Sequence, residues 1–84
     1  MALPGEEYVN EGLVDLQEGR ETISALLVAI GTPRLQQLGI QVPPHSYTSP
    51  EHRLYETLAD EDRATAHSRY NALIARLVSF ERAY

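Results

Sequence analysis

Histidines and carboxylates are the residues of this chain best able to do chemistry, but their spacing gives little indication of a catalytic or metal site. The sequence has three histidines, His45, His52 and His67, and no cysteine. His52 and Glu56 lie four positions apart, a spacing that presents two metal ligands on one face of a helix, but no third ligand is evident. We therefore interpret this pair as surface residues and predict neither a metal site nor a cofactor.

Recognised catalytic patterns are missing from the sequence. There is no His-Glu-x-x-His, no Glu-x-x-His, no Gly-x-Ser-x-Gly and no glycine-rich phosphate loop. The serines are better explained as cap, loop and surface residues than as nucleophiles. These observations predict a protein that is not an enzyme and has no catalytic residues.

Arg20 and Tyr70 are polar residues at positions where helix packing favours apolar side chains. Together with His67, they could line a pocket for a small anion, and a small anion- or metal-binding helical bundle is one alternative function. Arg20 could equally set the register of packed helices while its head group reaches solvent. The sequence leaves both interpretations open.

Two heptad patterns define the main elements that would position these residues. Arg20 fills the one missing place in the first pattern, and Gly12 and Gly19 lie beside it, where another helix could approach closely. The spacing predicts long helices over about 6–30 and about 61–83, each roughly 35 Å long. The first pattern consists of Val9, Leu13, Leu16, Ile23, Leu27 and Ile30, and the second of Ala66, Tyr70, Leu73, Leu77, Phe80 and Tyr84.

Glycine and proline divide the middle of the chain. Gly31 is a candidate helix end, and Pro33 follows a threonine in the order typical of a helix start, which predicts a short helix over about 33–38. A loop over 39–48 and a second short helix over about 50–58 follow. No segment has the alternation of a β-strand, so residues 1–84 are predicted to form a single all-α domain.

The run over 25–30, Ala-Leu-Leu-Val-Ala-Ile, leaves no side of its helix polar. In a chain of 84 residues, either a partner or the two short helices must cover it. We expect an antiparallel helix pair that dimerises into a four-helix bundle, the commonest kind of symmetric assembly. The predicted oligomer interface consists of Leu26, Val28, Ile30, Ile74, Leu77 and Val78.

The net charge of −5 lies in the first part of the chain. Residues 1–30 hold six acidic residues and one arginine, while the remainder is balanced. The acidic surface predicted to face a basic partner protein consists of Glu7, Glu11, Asp15 and Glu18. An acidic chain repels phosphate, so nucleic acid is an unfavoured partner.

Two function classes remain beside the anion-binding bundle. The favoured one is a non-enzymatic interaction module or accessory subunit, bacterial by analogy of size and charge, that self-associates as a homodimer through both heptad patterns. The alternative is an antitoxin-like or transcriptional regulator, because the segment 23–37, with a turn at Gly31 and Arg34 after it, is similar to a helix-turn-helix. The absence of a signal-peptide pattern and of a membrane-length apolar run predicts a cytoplasmic location without membrane contact.

Overall fold

Four α-helices make up the fold in a computed structural model that describes residues 2–84. The part of the chain that the structure describes contains no β-strand, which confirms the all-α prediction. The helices are α1 (Glu6–Gln17), α2 (Ile23–Gln37), α3 (Pro50–Glu61) and α4 (Ala66–Ala83).

Helix α2 is the centre of the molecule and contacts each of the other three helices. Its residues Leu26, Leu27 and Val28 are all 0% exposed, although they point in different directions around the helix axis. The apolar run is therefore covered by its own chain. This corrects the expectation that a partner is needed to cover Leu26 and Val28.

The predicted continuous helix over 6–30 is wrong, because α1 ends at Gln17 and a turn separates it from α2. Gly19 adopts φ +74°, and the N–H of Arg20 donates to the carbonyl of Asp15 at 2.8 Å. With the bond from Gly19 N–H to Leu16, this is a Schellman helix end. Thr22 then caps α2 by accepting from the N–H of Ala25 at 3.0 Å.

The predicted short helix over 33–38 is not separate, because α2 runs through Gly31 and Pro33 without a break. Gly31 is buried, and a Cβ atom built there would lie 2.9 Å from a methyl group of Leu77. This glycine lets α4 approach α2 instead of ending a helix. The true end of α2 is a second Schellman motif with Gly39 at φ +89°, where Ile40 N–H donates to Leu35.

The second half of the chain follows the predicted order with shifted bounds. Helix α3 begins at Pro50 as expected but continues to Glu61, three residues beyond the predicted end. Helix α4 begins at Ala66 instead of about 61, because Asp62 accepts from the N–H of Ala64 at 3.1 Å and forms a turn there. The predicted heptad face of α4 is confirmed as a core face in part, because Leu73, Leu77 and Phe80 are buried. Tyr70 of the same pattern is only half-buried, and Tyr84 is 59% exposed.

Gly12 sets the close contact between α1 and α2. A Cβ atom at this position would lie 2.3 Å from the carbonyl oxygen of Ser24 and 2.4 Å from a methyl group of Val28. The carbonyl belongs to the backbone and cannot rotate away. Gly19, in contrast, has no atom near its virtual Cβ and serves only the turn. Of the two predicted close-approach glycines, only Gly12 therefore has that role.

We predict that Gly12→Ala lowers the free energy of unfolding by about 1–3 kcal/mol, because the added methyl group forces α1 and α2 apart. At an open helical position the same substitution would raise stability by about 1 kcal/mol. Urea unfolding followed by circular dichroism measures the difference. Asn10→Ala, at an exposed position of the same helix, is the control and should change stability by no more than about 0.5 kcal/mol. A Gly12→Ala variant more stable than the parent would contradict the close packing.

Candidate functional site

The six predicted interface residues separate into two groups. Leu26, Val28 and Leu77 are at most 4% exposed within a single chain, which contradicts their assignment to an oligomer interface. The other three, Ile30, Ile74 and Val78, are only half-buried. The part of the predicted interface that stays accessible is therefore the outer side of the α2–α4 contact.

Tyr70, Ile74 and Val78 follow one another at four-residue intervals and lie on one face of α4, which we call the α4 stripe. All three side chains are half-buried. The stripe continues onto α3 through Tyr55, which is 38% exposed and whose ring centre lies 5.7 Å from that of Tyr70. Burial raises the pKa of the Tyr70 hydroxyl, and the nearby charge of Glu51 raises it further.

Two opposite charges border the α4 stripe near the end of α2. Glu81 lies one turn after Leu77, and its carboxylate approaches the position of Gly31. Burial raises the pKa of Glu81, while the positive charge of Arg34 opposes this shift. The stripe is thus flanked by one acidic and one basic side chain that lie close enough to influence each other.

Arg20 does not lie in a helix seam, which corrects the prediction for this residue. It lies in the turn between α1 and α2, with its side chain 54% exposed, and its guanidinium donates to Asp15 at 2.9 Å and contacts Glu18 at 2.6 Å. Tyr70, its predicted partner, packs against Tyr55 instead. The proposed Arg20–Tyr70 pocket is therefore not formed.

Asp15 is the centre of this turn and is only 5% exposed. Its second carboxylate oxygen accepts from the hydroxyl of Thr22 at 2.6 Å. That hydrogen bond, followed by the hydrogen bonds and charge of Arg20, lowers the pKa of Asp15. One carboxylate thus holds the capping threonine and the arginine of the turn together.

The predicted acidic surface is largely occupied by contacts within the chain. Asp15 is buried and cannot face a partner, which corrects that assignment. The other three remain exposed but each has a neighbour. The contacts join Glu7 to Arg76 at 3.5 Å, Glu11 to the Ser24 hydroxyl at 3.0 Å, and Glu18 to Arg20 at 2.6 Å.

The histidines form no shared site in residues 2–84. Nowhere in this range do three or more histidine, cysteine or acidic side chains come together in a way that could hold a metal ion. His52 reaches Glu56 at 3.4 Å, and both are exposed. His67 pairs with Asn71 at 3.3 Å on the surface of α4.

His45 has a structural contact that the sequence did not predict. Its Nε2 lies 3.1 Å from the hydroxyl of Thr32, and that hydroxyl donates to the carbonyl of Val28 at 3.1 Å. His45 thus shares one hydrogen bond with a hydroxyl that is also within hydrogen-bonding distance of the backbone of α2. Its role is to attach the connection between α2 and α3 to the side of α2.

The regulator alternative loses its structural basis. The predicted helix-turn-helix requires a turn at Gly31, but this residue lies inside α2 against Leu77. Arg34 belongs to the same continuous helix. The geometry of two helices joined by a short turn, with the second one free to enter a groove, is not present in this segment.

None of the helices formed by residues 2–84 combines the length and the apolar character needed to cross a membrane.

No family model, curated protein or solved structure matches this chain. Among the surfaces of the chain, the α4 stripe is the most regular apolar one. Tyr55 was missed as part of that surface because its place beside Tyr70 depends on how α3 packs against α4.

We predict that Asp15→Asn lowers thermal stability and flattens its dependence on acid pH. Because the pKa of Asp15 is lowered in the folded state, its stabilising effect is complete above its ordinary value of 3.8 and is lost as the pH falls further. Melting temperatures measured from about pH 6 to about pH 2 test this. Asp60→Asn, at an exposed position of α3, is the control and should keep the parental profile. If the melting temperatures of both variants fall with pH in parallel with that of the parent, the acid-sensitive stabilisation of the turn does not come from Asp15.

Proposed function

We propose that this chain is a non-enzymatic helical interaction module that pairs with a second copy of itself through the α4 stripe. The observation that carries the proposal is that Ile74 and Val78 lie on a regular face of α4 and are only half-buried, although Ile74 also packs against the core. An apolar row of this regularity, continuous with Tyr55 and Tyr70, is typical of a helix-packing surface.

The charges beside the stripe favour a like partner. Glu81 lies three residues after Val78 on α4, and Arg34, of opposite charge, is close enough to interact with it. In a two-fold symmetric contact the same patch lies on both sides, so each side brings one acidic and one basic side chain and the contact does not join two surfaces of one sign. The excess negative charge in residues 1–30 opposes association in general, but the stripe itself adds no net charge to this repulsion.

The size of the molecule limits the kind of dimer that is expected. A stable interface buries about 800 Å² on each partner, which is about 15% of the 5247 Å² surface of this chain. The α4 stripe must therefore be joined by the neighbouring faces of α2 and α3, which include Ile30 and Tyr55. The proposed dimer therefore uses parts of α2, α3 and α4 of each chain.

We predict that Val78→Glu weakens self-association by at least about tenfold without unfolding the chain. Each two-fold interface contains the substituted residue twice, and a carboxylate placed in an apolar contact loses hydration. Ile74→Glu should have the same effect. Sedimentation equilibrium over a concentration series measures the association constant, and circular dichroism checks the fold.

Val14→Glu is the matched control, because Val14 is 53% exposed on α1, outside the stripe. It should leave the dimer intact. A parent chain that is monomeric at all concentrations would overturn the proposal, as would an equal loss of association in Val14→Glu and Val78→Glu. Association of the parent chain that is lost as salt is added would instead indicate that ion pairs drive it, and would also contradict the proposal.

A further inference from the structure

A cavity of about 360 Å³ opens between α1, the beginning of α2 and α4. Its lining has an apolar part and a polar part. The apolar part comes from Ile23, Ala72 and Leu73, and the polar part from Tyr8, Glu11, Ser24, Arg69 and Arg76. The volume falls within the range of small-molecule sites, and the combination of an apolar lining with a few charged groups is typical of them.

The two arginines are arranged along the length of the cavity. Arg69 and Arg76 are seven residues apart on α4, which separates their Cα atoms by about 10.5 Å along the helix axis but leaves both on the same side. Arg69 contacts Glu61 at 3.0 Å and Arg76 contacts Glu7 at 3.5 Å. Each guanidinium has five N–H donors, so a single carboxylate contact leaves donors for a ligand.

Two further residues determine where negative charge is favourable. The guanidinium of Arg76 lies 6.0 Å from the centre of the Tyr8 ring, a cation–π contact that holds it over the cavity. On the opposite wall Glu11 accepts from the hydroxyl of Ser24 at 3.0 Å. Its negative charge opposes an anion in the middle of the cavity, so the favourable positions are at the two arginines.

We propose that this cavity binds an aliphatic dicarboxylate that places one carboxylate on Arg69 and the other on Arg76, with its methylene chain over Ala72 and Leu73. Paired guanidinium contacts supply the charge recognition, and the apolar part of the lining supplies the contact with the chain. The site is independent of the α4 stripe, because Arg76 and Val78 lie about 200° apart around α4.

The test is an NMR titration of the ¹⁵N-labelled protein with succinate, adipate, suberate and octanoate. Affinity should increase from succinate to suberate as the ligand becomes long enough to reach both arginines. Octanoate, which has the length of suberate but one carboxylate, should bind about tenfold more weakly. The chemical-shift changes should centre on Ile23, Ala72 and Leu73.

Three variants separate this site from general attraction of anions. Arg69→Gln and Arg76→Gln should each reduce suberate affinity by about tenfold, whereas Glu11→Gln should raise it severalfold, because the amide keeps the Ser24 hydrogen bond and removes the opposing charge. Arg82→Gln, on the exposed last turn of α4, is the control and should leave affinity unchanged.

Several outcomes would overturn the proposal. They are equal affinity for octanoate and suberate, a loss in Arg82→Gln as large as that in Arg69→Gln, and an absence of shift changes around the cavity. If Arg76→Gln fails to fold, the ligand series and Arg69→Gln still decide the question. None of these results depends on whether the chain dimerises.

Discussion

A helix without a polar side is the constraint on which this structure depends. Burying a leucine side chain contributes about 1.5–3 kcal/mol, and α2 has Leu26, Leu27 and Leu35 fully buried on different sides. Because the other three helices must surround α2 with few residues, they have to approach it closely. Gly12 and Gly31 permit this on two sides, where any larger side chain would meet the neighbouring helix.

The same constraint explains why a regular sequence pattern predicted the wrong first helix. The heptad spacing continues across Arg20. A continuous helix would nevertheless extend past the core, and the residues before α2 could not then fold back to cover α2. The local signals for a break are present in the sequence, since Gly19 can adopt a positive φ and Thr22 is a good N-cap. An arginine in an apolar seam was the sign that the pattern was interrupted there.

The periodicity of the sequence identified the face of α4 that contacts the core, but not which of the residues beside that face are buried. Leu73 and Leu77 are buried, whereas Ile74 and Val78, equally apolar and next to them in sequence, are half-exposed. Which neighbour is covered depends on where α3 lies, and this follows from the path of the chain between α2 and α3. That path is set in part by the contact of His45 with the side of α2, a tertiary contact that no local pattern contains.

Helix α4 touches the core along a narrow face centred on Leu77, and this gives it two different flanks. One flank bears Val78 and is apolar, while the other bears Arg76 and is basic. The basic flank lies beside α1, which has four acidic residues and no basic one. Glu7 neutralises one arginine of this flank, Arg76, without lining the cavity beside it. The apolar flank is covered only in part by the rest of the chain, since Ile74 and Val78 are half-buried. A chain that uses so few residues to enclose α2 is therefore left with an apolar flank and a basic flank on one helix, the two surfaces on which the proposals rest.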